Sequence, residues 1–141
     1  MIERIGTIAV LGLIAALAVP TNVQAADFAK DIWPILEKSC IKCHMPSYTD
    51  PKRQRLKKPK GGLRLDTAEL IMKGAEDEGE WSKVIIPGKP EKSTFYTLTI
   101  LSEDHDDVMP SKGDILTKKQ TDLIKVWIAD GAKFGAWEKG D

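Results

Sequence analysis

Residues 40–44 read CIKCH, and they hold the only two cysteines of this 141-residue chain together with His44, one of its two histidines. Two thiols and an imidazole packed into five residues are a chemical device rather than ordinary core. Which device they form depends on the compartment they meet. That question leads outward, first to the N-terminus.

The first 25 residues, MIERIGTIAVLGLIAALAVPTNVQA, carry Arg4 in a short polar start and an apolar run from Ile5 to Val19. Pro20 ends the run, and Val23 and Ala25 place small residues where a signal peptidase cuts. We therefore expect residues 1–25 to be a cleaved secretory signal peptide, with the mature domain spanning residues 26–141. The run falls short of the ~20 residues that cross a bilayer, so an uncleaved anchor is the weaker reading and no stable membrane insertion is expected after cleavage. The leader contains no cysteine for lipid attachment. The expected localisation is the periplasm or another exported compartment. No internal repeat or composition break divides the remaining chain.

Export narrows the chemistry of CIKCH. Two thiols outside the cytoplasm tend to oxidise, but a bridge across two intervening residues constrains little chain and would contribute little stability. A thioredoxin-like dithiol needs β-α-β patterning around the motif, which is absent. Zinc needs four ligands, and the adjacent Cys43 and His44 point poorly at one tetrahedral ion without a second cysteine or histidine pair. What remains is the C-x-x-C-H signature of a covalently attached haem. In it Cys40 and Cys43 form thioethers to the porphyrin and His44 is the proximal iron ligand.

A sixth ligand would come from the opposite face. Met45 follows His44 directly and cannot reach around the ring. Met72 lies in a short helical stretch, DTAELIMKGA, where methionine usually packs. Met109 lies in the polar loop HDDVMPSKGD, and Pro110 biases it to the extended backbone that lets a loop project one side chain inward. Met109 is the expected ligand, with His105 as the alternative. The other ring nitrogen of His44 should find a hydrogen-bond acceptor that fixes the ring, and Pro46 marks one nearby candidate segment.

The rest of the chain reads as helices. DFAKDIWPILEKSC places Phe28, Ile32, Ile35 and Leu36 on one face, with Asp27 or Asp31 as caps and Pro34 confined to a first turn. DTAELIMKGA opens on Asp66 and Glu69 at capping-box spacing and closes near Gly74. The segment after Pro90 fits a short helix whose second half is ambiguous with a strand. LTKKQTDLIKVWIADGA carries a Thr117/Gln120 capping box and an apolar stripe of Leu123, Ile124, Trp127 and Ile128, ending at Gly131. Only GGLRLD hints at a strand. The pattern predicts an all-α class, with the haem completing a core that so small a chain would otherwise struggle to fill.

In order along the chain stand F-x-x-D-I-x-P-I-L, C-x-x-C-H, K-G-G-L-R-L-D, I-x-P-G-x-P-x-x-S, M-P and W-I-x-x-G-A. This succession, from Phe28 to Ala132, resembles the planctomycete-type cytochrome c domain, a branch of the class I cytochrome c superfamily. The resemblance implies several helices around one covalent haem c, with iron held by His44 and the methionine of M-P, here Met109. The chain departs from the family at Ser111, where a second proline usually follows.

With both axial positions filled, little room remains for oxygen or peroxide, and a thioether opposite an imidazole favours the reduced iron. The expected function is single-electron transfer between redox partner proteins, as a carrier or an oxidoreductase subunit rather than a stand-alone enzyme. The alternatives are a haem enzyme or gas sensor with an open or labile distal site, and a haem-free dithiol protein. Formal charge balances, with 21 basic and 21 acidic residues, but its placement is uneven. PKRQRLKKPKGG, from Pro51 to Gly62, is basic, whereas EDEGE and SEDHDD are acidic. The basic stretch reads either as a solvated loop or as a loop that borders the haem edge and steers an acidic redox partner. Nucleic acid is not an expected partner, because the chain is neutral overall and carries no reading motif.

Overall fold

The computed structural model describes residues 25–140. The body of the expected leader, residues 1–24, lies outside the described residues. Among those described, no helix is long and apolar enough to cross a membrane.

The chain enters through a π-helical turn, Phe28–Ile32, capped by Asp27, whose side chain accepts from the Lys30 N–H. It continues as α1, Trp33–Ser39, with Pro34 in its first turn. There follow a hairpin of β1, Tyr48–Asp50, and β2, Arg55–Lys57, and a single 3-10 turn at Lys60–Gly62. Helix α2, Ala68–Lys73, leads into a second hairpin of β3, Ala75–Asp77, and β4, Glu80–Ser82. Then come a 3-10 turn at Pro90–Lys92, α3 at Thr94–Thr97, a further turn at Leu98–Ile100, and finally α4, Lys118–Ala129.

This arrangement corrects the all-α expectation. Two separate two-stranded antiparallel sheets accompany the helices, and the class is mixed α and β. Local turn chemistry accounts for both hairpins. Asp50 Oδ1 accepts from the N–H groups of Lys52 and Arg53, closing the first. In the second, Glu78 and Gly79 both take positive φ, 51° and 88°, as a tight two-residue hairpin turn requires. The stretch GGLRLD, named from sequence as a strand candidate, makes only an isolated bridge from Leu63 to Ala75.

The core forms where the first and last helices meet. Phe28, Ile32, Ile35 and Leu36 bury against Ile124, Trp127 and Ile128, joined by Leu65, Ile71, Ile85 and Leu116. The Phe28 ring lies 5.1 Å from Trp127 and 4.5 Å from both Phe134 and Trp137, so the C-terminal segment closes over one end of the core. Trp127 Nε1–H donates to the Lys133 carbonyl at 2.7 Å, satisfying its polar edge. The Thr117/Gln120 capping box is present at the start of α4. At α2 the cap is Thr67, which accepts from the Leu70 N–H, rather than Asp66. Asp66 is instead held by Arg64 in a two-pronged ion pair.

Gly62 has φ of +62°, and a Cβ there would run into the Glu76 carbonyl. Gly62→Ala should therefore destabilise the fold by more than the ~1–3 kcal/mol cost of its backbone conformation alone. Denaturant midpoints would measure this, and an unchanged midpoint would mean that the close approach is not needed.

Candidate functional site

Helix α1 ends by handing its chain to the CIKCH turn. The N–H groups of Cys40 and Ile41 both reach the Leu36 carbonyl, at 2.8 and 2.9 Å. The Cys43 and His44 N–H groups then return to Cys40 O, each at 3.1 Å. This wound segment is short and internally bonded, so both cysteines and the imidazole are carried on one rigid piece of backbone.

Two bonds from downstream lock the piece in place. Lys60 N–H donates to Cys43 O, and Leu65 N–H donates to His44 O, each at 2.9 Å. His44 Nδ1 lies 3.2 Å from the Leu63 carbonyl. With the proton on Nδ1 donated there, the Nε2 lone pair is left for a metal. The acceptor is therefore Leu63, 19 residues downstream, rather than the Pro46 segment. Burial pushes the His44 pKa below its ordinary value, against the opposing pull of the Leu63 bond. A neutral ring is the form that ligates.

Cys40, Cys43 and His44 line a cleft that encloses about 740 Å³ when counted out to its open mouth. The lining is mainly apolar, with Leu36, Leu63, Leu65, Phe95, Leu98 and Ile124 of α4 among its residues. Met109 also lines the cleft, carried by a loop tied down where its N–H donates to Leu98 O at 2.9 Å. Val108 beside it is buried and Pro110 joins the lining, after a cis peptide bond. The three residues of the CIKCH motif and Met109, far downstream in the chain, thus share one cavity.

The alternatives go elsewhere. Met72 packs against the hydrophobic core, and neither it nor Met45 is among the residues that line the cleft. His105 is exposed, and its Nδ1 accepts from the Asp107 N–H at 3.1 Å, closing a turn within the acidic loop. Sequence reasoning missed the walls at Val84, Phe95 and Leu98. The order of Ile85, Pro90 and Ser93 was visible, but not that buried Ser93 would pin this turn by accepting from the Ile86 N–H and donating to Lys89 O.

A family model described as planctomycete cytochrome C matches residues 40–113, just over half of the chain. This chain belongs to that family. Neither curated proteins nor solved structures yield a match. The matched segment runs from Cys40 through Met109, and so contains every residue singled out for the site. Membership makes this a haem-binding cytochrome domain, and haem c with its iron is the cofactor the family implies. The residues present fit such a group. The cleft is lined mainly by apolar side chains, as small-molecule and cofactor sites are, two thiols stand at its wall, and an imidazole has its second nitrogen already engaged.

Burial, and next to it the negative charge of Cys43, pushes the Cys40 thiol up to about 11. In the haem-free polypeptide, iodoacetamide should alkylate Cys40 slowly at pH 8, and its rate should climb about tenfold per pH unit until near 11. Peptide mapping of the modified chain reads this directly. A rate that levels off by pH 9 would contradict it.

Proposed function

We propose that this protein is an exported, single-haem c-type cytochrome that passes electrons one at a time between redox partner proteins. Cys40 and Cys43 hold the haem covalently, and His44 and Met109 ligate its iron. The observation that carries this reading is the convergence of these four side chains on one apolar cleft. When bound, the haem supplies a centre that cycles between ferric and ferrous states.

The chain's own residues then do the rest. The Leu63 carbonyl fixes the His44 ring and its tautomer, so the ligating nitrogen need not reorient between oxidation states. The leucine, valine and phenylalanine walls exclude water and favour the state of lower charge. The bond from Met109 N–H to Leu98 O holds the distal loop against α3 and its following turn, keeping the thioether on the cleft. With His44 and Met109 both holding the iron, no coordination position would be left open for a substrate. Export follows from the leader, and a periplasmic or equivalent compartment is where partners would be met.

The test is an equilibrium redox titration of protein exported by a host with c-type haem maturation machinery. One reversible one-electron wave is expected, with one haem per chain. Steady consumption of peroxide, or two haems per chain, would contradict the proposal.

A further inference from the structure

The hairpin β1–β2 has no assigned part in this chemistry. It is the excursion made between His44 and the Lys60–Gly62 turn, and its root is tied to the cysteine motif by the Lys60-to-Cys43 bond. Its strands pair with each other and pack extensively against no other named element. An isolated two-stranded hairpin of this length has little stability of its own.

Its composition is one-sided. From Tyr48 to Lys60 it carries six cations, Lys52, Arg53, Arg55, Lys57, Lys58 and Lys60, against the single acid Asp50. Asp50 is committed to the turn through the N–H groups of Lys52 and Arg53. Among the described residues the ion pairs are Arg64–Asp66, Lys118–Asp122 and Lys133–Asp130, so none of the six is neutralised by one. The register pairs Tyr48 with Lys57 and Asp50 with Arg55, which puts the tyrosine ring on one face with two cations. Tyr48 is 43% exposed, and Leu56 on the other face is 59% exposed. Cations around exposed apolar side chains, on an element that contributes little to the core, are the makings of an interface.

We propose that the β1–β2 hairpin is a docking element for the acidic surface of a redox partner, seated beside the haem-attachment turn. This rests on the electron-transfer reading and names the chemistry of its partner. The chain is neutral as a whole, so steering here comes from local placement rather than net charge. A protein surface fits better than a lipid one because the hairpin is rooted on the redox motif itself. Contact there brings a partner close to the cleft.

The test compares Arg55→Glu/Lys57→Glu/Lys58→Glu with Lys89→Glu/Lys119→Glu/Lys125→Glu, which makes the same change in net charge elsewhere on the surface. Two probes are used on the haem-loaded protein: a fluorescent poly-glutamate peptide, read by anisotropy, and hexacyanoferrate(III), which takes one electron from the reduced protein and becomes hexacyanoferrate(II). At low ionic strength the hairpin variant should bind the peptide and react about tenfold less well than wild type, and the difference should vanish as salt is raised. The control should change far less. A neutral version, Arg55→Gln/Lys57→Gln/Lys58→Gln, should fall between, which guards against misfolding of the reversed one. Equal effects of hairpin and control reversals would overturn the proposal. So would a salt-sensitive dimer lost in Glu76→Gln/Asp77→Asn/Glu78→Gln/Glu80→Gln, which would make a second copy the occupant. Binding to phosphatidylglycerol vesicles without binding to poly-glutamate would overturn it in favour of a lipid surface. Hairpin-dependent peptide binding by a protein that does not cycle reversibly would support the docking surface and contradict the electron-transfer reading alone.

Discussion

Replacing Cys40 and Cys43 together by alanine should abolish covalent haem attachment completely. After denaturation in detergent and electrophoresis, the wild-type band should retain haem and the double variant none. The expected effect is all-or-none because thioether bonds would be the only links to survive unfolding, and these are the chain's only two cysteines. The two are held on one turn by the bonds to Leu36 O and Cys40 O, and both line the same cleft rather than two separate sites. Single variants should retain haem through the remaining sulfur, at lower yield. Haem that stays with the double variant through denaturation would refute the attachment.

Met109→Ala should open the sixth coordination position. The reduced variant should bind carbon monoxide to saturation where the wild type ignores it, and its reduction potential should fall, because a thioether favours the reduced iron. The fold should survive. Met109 is half-buried on the cleft wall, and its loop is held through its backbone N–H rather than its side chain. An unchanged spectrum and potential would transfer the role to Met72 or His105, although Met72 packs in the core and His105 is exposed and engaged with Asp107.

What could be read from sequence divides along physical lines. Helix α4 was fully readable, since its capping box and its stripe of Leu123, Ile124, Trp127 and Ile128 are side-chain signals at helical spacing. The CIKCH turn was readable because its chemistry lies in residue types and spacing. The hairpins were not. Their strands are three residues each and mostly charged or polar, so no apolar alternation announces them. What forms them is turn geometry at Asp50 and at Glu78–Gly79, and that is where the all-α expectation failed. The partner of His44 was equally hidden, because a backbone carbonyl leaves no mark in sequence. Only the Gly61–Gly62 pair, both at positive φ, hints that the chain there is shaped for close approach. At α2 two residues competed for one cap, and the nearby Arg64 claimed Asp66 and left the role to Thr67.

The most direct test of the central claim, a haem held by Cys40 and Cys43 between His44 and Met109, is the visible absorption spectrum of the exported wild-type protein. It is recorded oxidised, reduced, and reduced under carbon monoxide. The expected result is a sharp low-spin reduced spectrum that carbon monoxide leaves unchanged, with the weak sulfur-to-ferric-iron band in the oxidised form. A high-spin spectrum that shifts with carbon monoxide would contradict Met109 ligation and the electron-transfer role built on it, and a colourless protein would contradict the haem itself.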